Sequence, residues 1–300
     1  MTARVVVATR KSALALAQSR AWMRALEAAH PGLVVEELHV VTTGDRVQDR
    51  ALSEIGGKGL FIKEIEEALL EGRAHIAVHS IKDVPADLAP GLMLACIPER
   101  EDPRDVLVTR SGEKLAELPR GARIGTSSLR RKVQLARGRP DLEILPLRGN
   151  VDTRLRKLSE GLVDGIVLAR AGLVRLGLAE RATEVLEPHV CLPAVGQGAL
   201  GIEISERDDR VRDLVSALEH TETARRVAAE RGVMRAVGGS CQLPVAAYAE
   251  RDGEQLLLTG FLADPDGSNG RQRSVRAPWP SSAAEAAGVG EALGAELLGA

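Results

Sequence analysis

The chain has 300 residues, 44% hydrophobic and 27% charged, with 40 Lys/Arg against 42 Asp/Glu and a formal net charge of −2. These values exclude a disordered chain and leave room for two or three domains, each with its own core. No apolar stretch approaches the roughly 20 residues that span a bilayer, so the expectation is a chain neither exported nor membrane-inserted.

Short β-branched runs alternate with helical patterns through the first two-thirds. RVVVA (4–8) opens, and a helical segment 12–29 follows with Ala15, Trp22, Leu26 and Ala29 on one face. LVVEELHVV (33–41), a helical segment 59–70, HIAVH (75–79), LMLACI (92–97), DVLVT (105–109), LEILPL (142–147) and GIVLA (165–169) continue the alternation. It predicts an α/β fold with largely parallel pairing. GALGIEI (198–204) reads as a strand returning to the first domain. Helical stretches 207–218 and 221–236 come next, then strand-like VAAYAE, EQLLLTGFLA and RQRSVRA, and a helix near 282–298. That tail predicts a small α+β domain.

Two junctions look alike. VVVATRKSALALAQ and ARIGTSSLRRKVQLA each pass from a short strand through Thr, Ser and Arg into a helix. Ser and Thr cap helix N-termini there, and the exposed N–H groups favour an anion, although ordinary caps with surface arginines would look the same. The pair predicts two similar α/β domains facing each other across a cleft.

Charge is uneven. Between Arg120 and Lys157 eleven Lys/Arg stand against three acids, Asp141, Glu143 and Asp152. An anionic ligand is implied. Nucleic acid is opposed by the five aromatics (Trp22, Phe61, Tyr248, Phe261 and Trp279) and by the balanced total charge. A small polycarboxylate or phosphate fits better, with Arg148 and Arg154 suited to carboxylates and Arg137, Arg139 and Arg156 readable as solvated surface.

Three cysteines, Cys96, Cys191 and Cys241, are odd in number and widely spaced, without a CxxC pair, which points to a reducing compartment and no zinc site. Cys96 in LMLACI reads as a core thiol. Cys241 in GGSCQLP differs, because its neighbours are Gly, Ser and Gln; a loop thiol of this kind is a candidate for covalent chemistry, without a visible base. In VHSIKDVPADL, Lys82 and Asp83 follow an apolar strand, where open α/β sheets bind ligands. Asp83 is a candidate acid/base, with a capping or salt-bridged Asp as the plainer alternative. Gly56, Gly57 and Gly59 around Lys58 suit an anion loop or a flexible surface loop, without Walker A spacing. The six His, including His75 and His79, read as structural.

In order along the chain, ATRKSALALAQ, GGKGLFIKEIE, AVHSIKDVP, EREDPRDVLV, GTSSLRRKVQL, LRGNVDTRL, AGLVRLGL, LPAVGQGALGIE and GGSCQLPVAAYA resemble the porphobilinogen deaminase (hydroxymethylbilane synthase) family. The resemblance implies two doubly wound domains like those of periplasmic binding proteins, at 1–98 with 196–216 and at 99–195, plus a smaller α+β domain at 217–300. It implies a transferase of porphyrin biosynthesis that joins four porphobilinogen molecules head to tail, releasing ammonia and hydroxymethylbilane. The chain would grow on one dipyrromethane cofactor held by a thioether to Cys241, with Asp83 as catalytic residue. Ser80, Lys82, Thr126, Ser128, Arg130, Arg131 and Arg154 would join Asp83 in holding the cofactor. Arg10, Ser12, Ser127, Arg148, Arg175, Gln197 and the loop residue Lys58 would hold substrate. Each pyrrole ring carries an acetate and a propionate, which gives the basic stretch its reason. The resemblance further implies a cytoplasmic monomer with no metal and no nucleic-acid or membrane partner. Glu54 stands where some members carry a second lysine. A solute-binding or ligand-sensing module would share the expected cleft but gives no reason for the loop cysteine.

Overall fold

The computed structural model describes residues 4–43, 62–239 and 243–299. In chain order the elements begin with β1 (Arg4–Arg10), α1 (Ala13–Ala29), β2 (Val34–Val40), α2 (Lys63–Leu70), β3 (Ile76–Ser80), β4 (Leu92–Cys96) and β5 (Asp105–Thr109). There follow β6 (Arg123–Gly125), α3 (Leu129–Gly138), β7 (Glu143–Leu145), α4 (Val151–Ser159), β8 (Gly165–Ala169), α5 (Arg170–Arg175) and β9 (Glu184–Leu186). The chain closes with β10 (Leu200–Ser205), α6 (Asp209–Ser216), α7 (Thr221–Ala236), β11 (Val245–Asp252), β12 (Gln255–Leu262), β13 (Arg271–Pro278) and α8 (Ala283–Leu298).

These elements form two compact units, Met1–Arg100 with Ala199–Ala224 and Glu101–Gly198 with Arg225–Ala300. The first holds a five-stranded sheet in the order β2-β1-β3-β10-β4. β1 runs parallel to β2 and β3, whereas β10 runs antiparallel to β3 and β4. Period-2 alternation sorts the side chains of β1: Val5 and Val7 pack with Trp22 and Leu26, and Val6 and Ala8 pack on the other face with Ile65 and Leu69. Burying each large apolar side chain contributes roughly 1.5–3 kcal/mol. Ser12 starts α1, its Oγ accepting the Ala15 N–H at 3.3 Å.

The second unit repeats the plan. Its sheet has the order β7-β6-β8-β5-β9, with β6 parallel to β7 and β8 and β5 antiparallel to β8 and β9. The same unit contains the antiparallel sheet β11-β12-β13, against which α7 and α8 pack through Ala229, Val233, Leu256, Leu258, Leu293 and Leu297. α7 and α8 cross closely: a Cβ on Gly290 would lie 1.9 Å from the Ala229 carbonyl oxygen, so only glycine fits.

The expectation of largely parallel pairing is therefore corrected to two mixed sheets. Parallel neighbours need a crossover, usually helical, that returns the chain to the same end. β5 and β10 each follow directly from a segment of the other unit, and both run against their neighbours. The helix expected from residue 59 is described only from Lys63.

Candidate functional site

In the first unit, the carboxyl ends of the parallel neighbours β1 and β3 bring two predicted groups to one end of the sheet. β1 ends at Arg10, and Ser12 begins the helix beyond it; β3 ends at Ser80 and turns directly into the single 3₁₀ turn Ile81–Asp83. That turn is closed by the Val84 N–H on the Ile81 carbonyl at 3.0 Å, and the Ile81 N–H donates to the Ala199 carbonyl at 3.1 Å. Ile81 is fully buried, while Lys82 and Asp83 are half-buried beside it. The buried Ile81 anchors a turn whose two charged side chains reach partial solvent.

In the second unit, the ends of β6 and β7 carry the corresponding residues. Thr126 is buried, its N–H on the Leu145 carbonyl at 2.9 Å and its Oγ1 accepting the Ser128 N–H at 3.2 Å. Ser127 is exposed, and Ser128 caps α3. After β7, Gly149 takes φ +117°, a left-handed conformation that lets the chain turn sharply into α4. The turn is braced by basic side chains of that helix: Arg154 Nε donates to the Gly149 carbonyl at 2.7 Å and Lys157 Nζ to the Arg148 carbonyl at 3.1 Å. Asn150 makes no side-chain bond at the α4 N-terminus. Nη1 of Arg148 is buried with no hydrogen-bond partner among the described residues.

Arg130 and Arg131, which the resemblance expects at ligand carboxylates, both bond to Asp105, a fully buried residue at the start of β5. Arg130 Nη1 donates to Asp105 Oδ2 at 2.7 Å and to the Leu192 carbonyl at 2.7 Å. Arg131 donates to Asp105 Oδ1 from Nη2 at 2.7 Å and from Nε at 3.1 Å, and to the Val167 carbonyl from Nη1 at 2.9 Å. Gln197, expected to touch substrate, is 1% exposed and donates to Asp105 Oδ1 at 2.8 Å and to the Pro103 carbonyl at 2.6 Å. Burial opposes the charge on Asp105, yet the two guanidiniums hold its carboxyl well below the usual range. Burial likewise opposes the Arg130 cation, and Asp105 more than offsets it. Two cations on one carboxylate leave one positive charge in excess at the start of α3.

Cys191 belongs to the same cluster. Its thiol donates to Asp105 Oδ2 at 3.3 Å, and burial pushes its pKa up to about 12, so it is a neutral donor. Arg175 Nη2 donates to the Gly198 carbonyl at 2.6 Å, and burial lowers its pKa. Arg139, read as surface, is half-buried; it pairs with Asp141 at 2.7 Å and donates to the carbonyls of Leu115 and Leu118. Cys96 is buried, as its apolar run predicted. Lys58, Glu54 and Cys241 lie outside the described residues.

Sequence reasoning missed Asp105. An acid opening the apolar run DVLVT was its one local signal, and its partners lie 25, 26 and 92 residues away. Among the described residues, no helix is long and apolar enough to cross a membrane, and no group of three or more His, Cys, Asp or Glu is arranged to hold a metal.

Two family models match the chain: porphobilinogen deaminase, dipyromethane cofactor binding domain, over residues 5–213, and porphobilinogen deaminase, C-terminal domain, over 224–299. The porphobilinogen deaminase of Sorangium cellulosum is 64% identical over 297 residues, 99% of each chain. That of Syntrophotalea carbinolica is 52% identical over 292 residues, 97% of this chain and 91% of the relative. Among solved structures, the methionine binding protein MetQ aligns over 75% of this chain and 94% of its own at 13% identity, with a TM-score of 0.47.

Proposed function

The chain belongs to the porphobilinogen deaminase family, and on that premise we propose how its residues divide the work. Its activity is that of a transferase in tetrapyrrole biosynthesis, which joins porphobilinogen molecules head to tail with loss of ammonia to give hydroxymethylbilane, using a dipyrromethane cofactor. We assign the covalent anchor to Cys241 and the chemistry to Asp83.

The residues at the strand ends fit a ligand that carries an acetate and a propionate on every ring. The observation that carries this reading is Arg148 Nη1, a buried guanidinium nitrogen without a partner among the described residues, at the end of a strand whose following helix has no side-chain cap. An unmatched buried donor is costly until an acceptor arrives, and a carboxylate is the acceptor that guanidinium geometry suits. The excess positive charge around Asp105 supports the same reading. We therefore assign Arg148, Arg154, Thr126, Ser127 and Ser128 to ligand acids in the second unit. In the first, Arg10, Ser12, Ser80 and Lys82 take that role. Arg130 and Arg131 contribute by their field, and Arg175 and Gln197 by holding the 197–198 segment.

When bound, the dipyrromethane supplies a free pyrrole α-carbon from which the product grows. Asp83 does the proton work. Its carboxyl would donate a proton to the departing amine, and the resulting carboxylate would stabilise nearby positive charge and take back the proton released from carbon. Lys82, next to it in the same turn, keeps a positive charge close by for a ligand carboxylate.

Peptide mapping by mass spectrometry tests the anchor. The Cys241 peptide of active enzyme is expected to carry the mass of two linked pyrroles, and an unmodified Cys241 in active protein overturns the assignment. We further propose a cytoplasmic monomer working without metal, nucleic acid or membrane, from the spaced cysteines and sparse aromatics. Light scattering should give the mass of one chain; twice that mass contradicts the monomer.

A further inference from the structure

Three titratable side chains lie in the first unit around the Lys82–Asp83 turn, and the reaction as described uses none of them. His79 on β3 and Glu203 on β10 are diagonal neighbours on one face of the sheet, since Gly201 stands opposite His79 and Glu203 opposite Ala77. His79 Nε2 and Glu203 Oε2 are 2.7 Å apart, and the two side chains are 4% and 0% exposed. Glu203 Oε1 is buried with no hydrogen-bond partner among the described residues. The register of β10 against β4 shifts between Ile202 and Glu203, an irregularity of the kind that re-aims a side chain.

The third group is Glu66, on α2. Its Oε1 accepts the Ala89 N–H at 3.1 Å, in the segment that leads away from Asp83. Burial raises the Glu66 pKa, the Glu203 charge raises it further and His79 opposes that, so the three groups share one electrostatic environment. Ala8 and Ala77 of the sheet and Ile65, Ala68 and Leu69 of α2 form an apolar cluster in the same unit.

Stability does not explain such a cluster. Apolar residues of similar volume often replace buried charges at no loss, and an unmatched carboxylate oxygen costs free energy. What the cluster does hold is the chain on either side of the turn. His79 precedes Asp83 by four residues and is clipped to β10; Ala89 follows it by six and is clipped to α2.

We infer that His79, Glu203 and Glu66 are positioning residues, which fix the Lys82–Asp83 turn from both sides so that the Asp83 carboxyl meets its proton-transfer partners at hydrogen-bonding distance. The inference rests on the assignment of Asp83 made above. Proton transfer needs heavy atoms about 2.6–3.2 Å apart, and a displacement of about 1 Å can cost about 10²-fold in rate. Glu203→Gln keeps the shape of the side chain but weakens the charge-assisted bond to His79.

The test is a double-mutant cycle on the holoenzyme, with Glu203→Gln and Asp83→Asn alone and together, read as kcat and KM for porphobilinogen and as intact mass. Glu203→Gln is expected to lower kcat about 10-fold with KM within about 2-fold and the cofactor mass retained, and to add less than about 2-fold loss in the Asp83→Asn background. A near-normal kcat, or an equal loss in both backgrounds, overturns the inference. Normal turnover in Asp83→Asn alone is a separate outcome that removes the assignment of Asp83 itself. Glu66→Ala, which deletes the Ala89 clip, goes through the same cycle: a kcat loss that vanishes in the Asp83→Asn background supports the inference, and a near-normal kcat or an equal loss in both backgrounds overturns it. A failure of Glu203→Gln to fold therefore leaves the question decidable.

Discussion

The two five-stranded sheets share one strand plan, three parallel strands followed by an antiparallel fourth and then a fifth, yet their carboxyl ends are equipped differently. In the first unit that end presents an acid on a short turn, Asp83, in a unit that also holds the buried Glu203 and the half-buried Glu66. In the second it presents arginines, two of them closed on a buried acid and one, Arg148, with an unmatched nitrogen. On the assignments proposed above, the difference teaches that one architecture can serve two tasks: placing one proton-transfer group and supplying positive charge for many carboxylates. The acid Asp105 sits among cations, where its ionised form is strongly favoured. Glu66 is partly buried and sits near a second carboxylate, Glu203, and burial first and that charge second disfavour its ionised form.

Asp83→Asn should give the largest effect, a loss in kcat of about 10²-fold or more with the cofactor still attached, measured by steady-state turnover and intact mass. Near-normal rates would move the chemistry away from the first unit. Asp105→Asn should come next, through stability instead of rate. It leaves two buried guanidiniums without their carboxylate, and calorimetry should show a loss of about 3–5 kcal/mol. An unchanged melting temperature would mean that Arg130 and Arg131 find other partners, as ligand-facing groups would.

Arg148→Met should raise KM about 10-fold with kcat within about 2-fold, because a charge-assisted bond to substrate is lost while Asp83 is untouched. A fall in kcat alone would blur the division between the two sheets. The smallest effects are the pH slopes. The folded Asp105 pKa is depressed, so its contribution is complete above about pH 4 and is lost as pH falls toward the depressed value. The folded Glu66 pKa is raised, so its contribution is favourable below about pH 4 and is lost as pH rises through the raised value. Melting curves of Asp105→Asn and Glu66→Gln against wild type should therefore diverge with opposite sign across acid pH, and slopes of the same sign would contradict these environments.

Much of the fold was legible because its signals are local. The β-branched runs RVVVA and GIVLA mark strands, and Ser12 and Ser128 mark helix starts by a bond only three residues long. The site was legible up to that range. Asp83 at a strand end and a basic run from 120 to 157 could be read directly, but which arginines face inward could not. Arg130 and Arg131 are adjacent on a helix, and nothing near them in the chain reveals that Asp105 awaits both. The His79 and Glu203 pair, 124 residues apart, is hidden for the same reason. The antiparallel course of β5 and β10 depends on where the chain comes from, which strand composition does not encode.

The central claim is that the first unit supplies chemistry and the second supplies binding. Single-turnover addition of porphobilinogen to the holoenzyme, counted as pyrrole rings by intact mass over a range of substrate concentrations, tests it most directly. Asp83→Asn should retain the cofactor and remain about 10²-fold slow at saturation, while Arg148→Met should recover a near-wild-type rate once substrate is raised about 10-fold. Ring addition by Asp83→Asn at the wild-type rate, or an Arg148→Met rate that stays low at saturation, would contradict it.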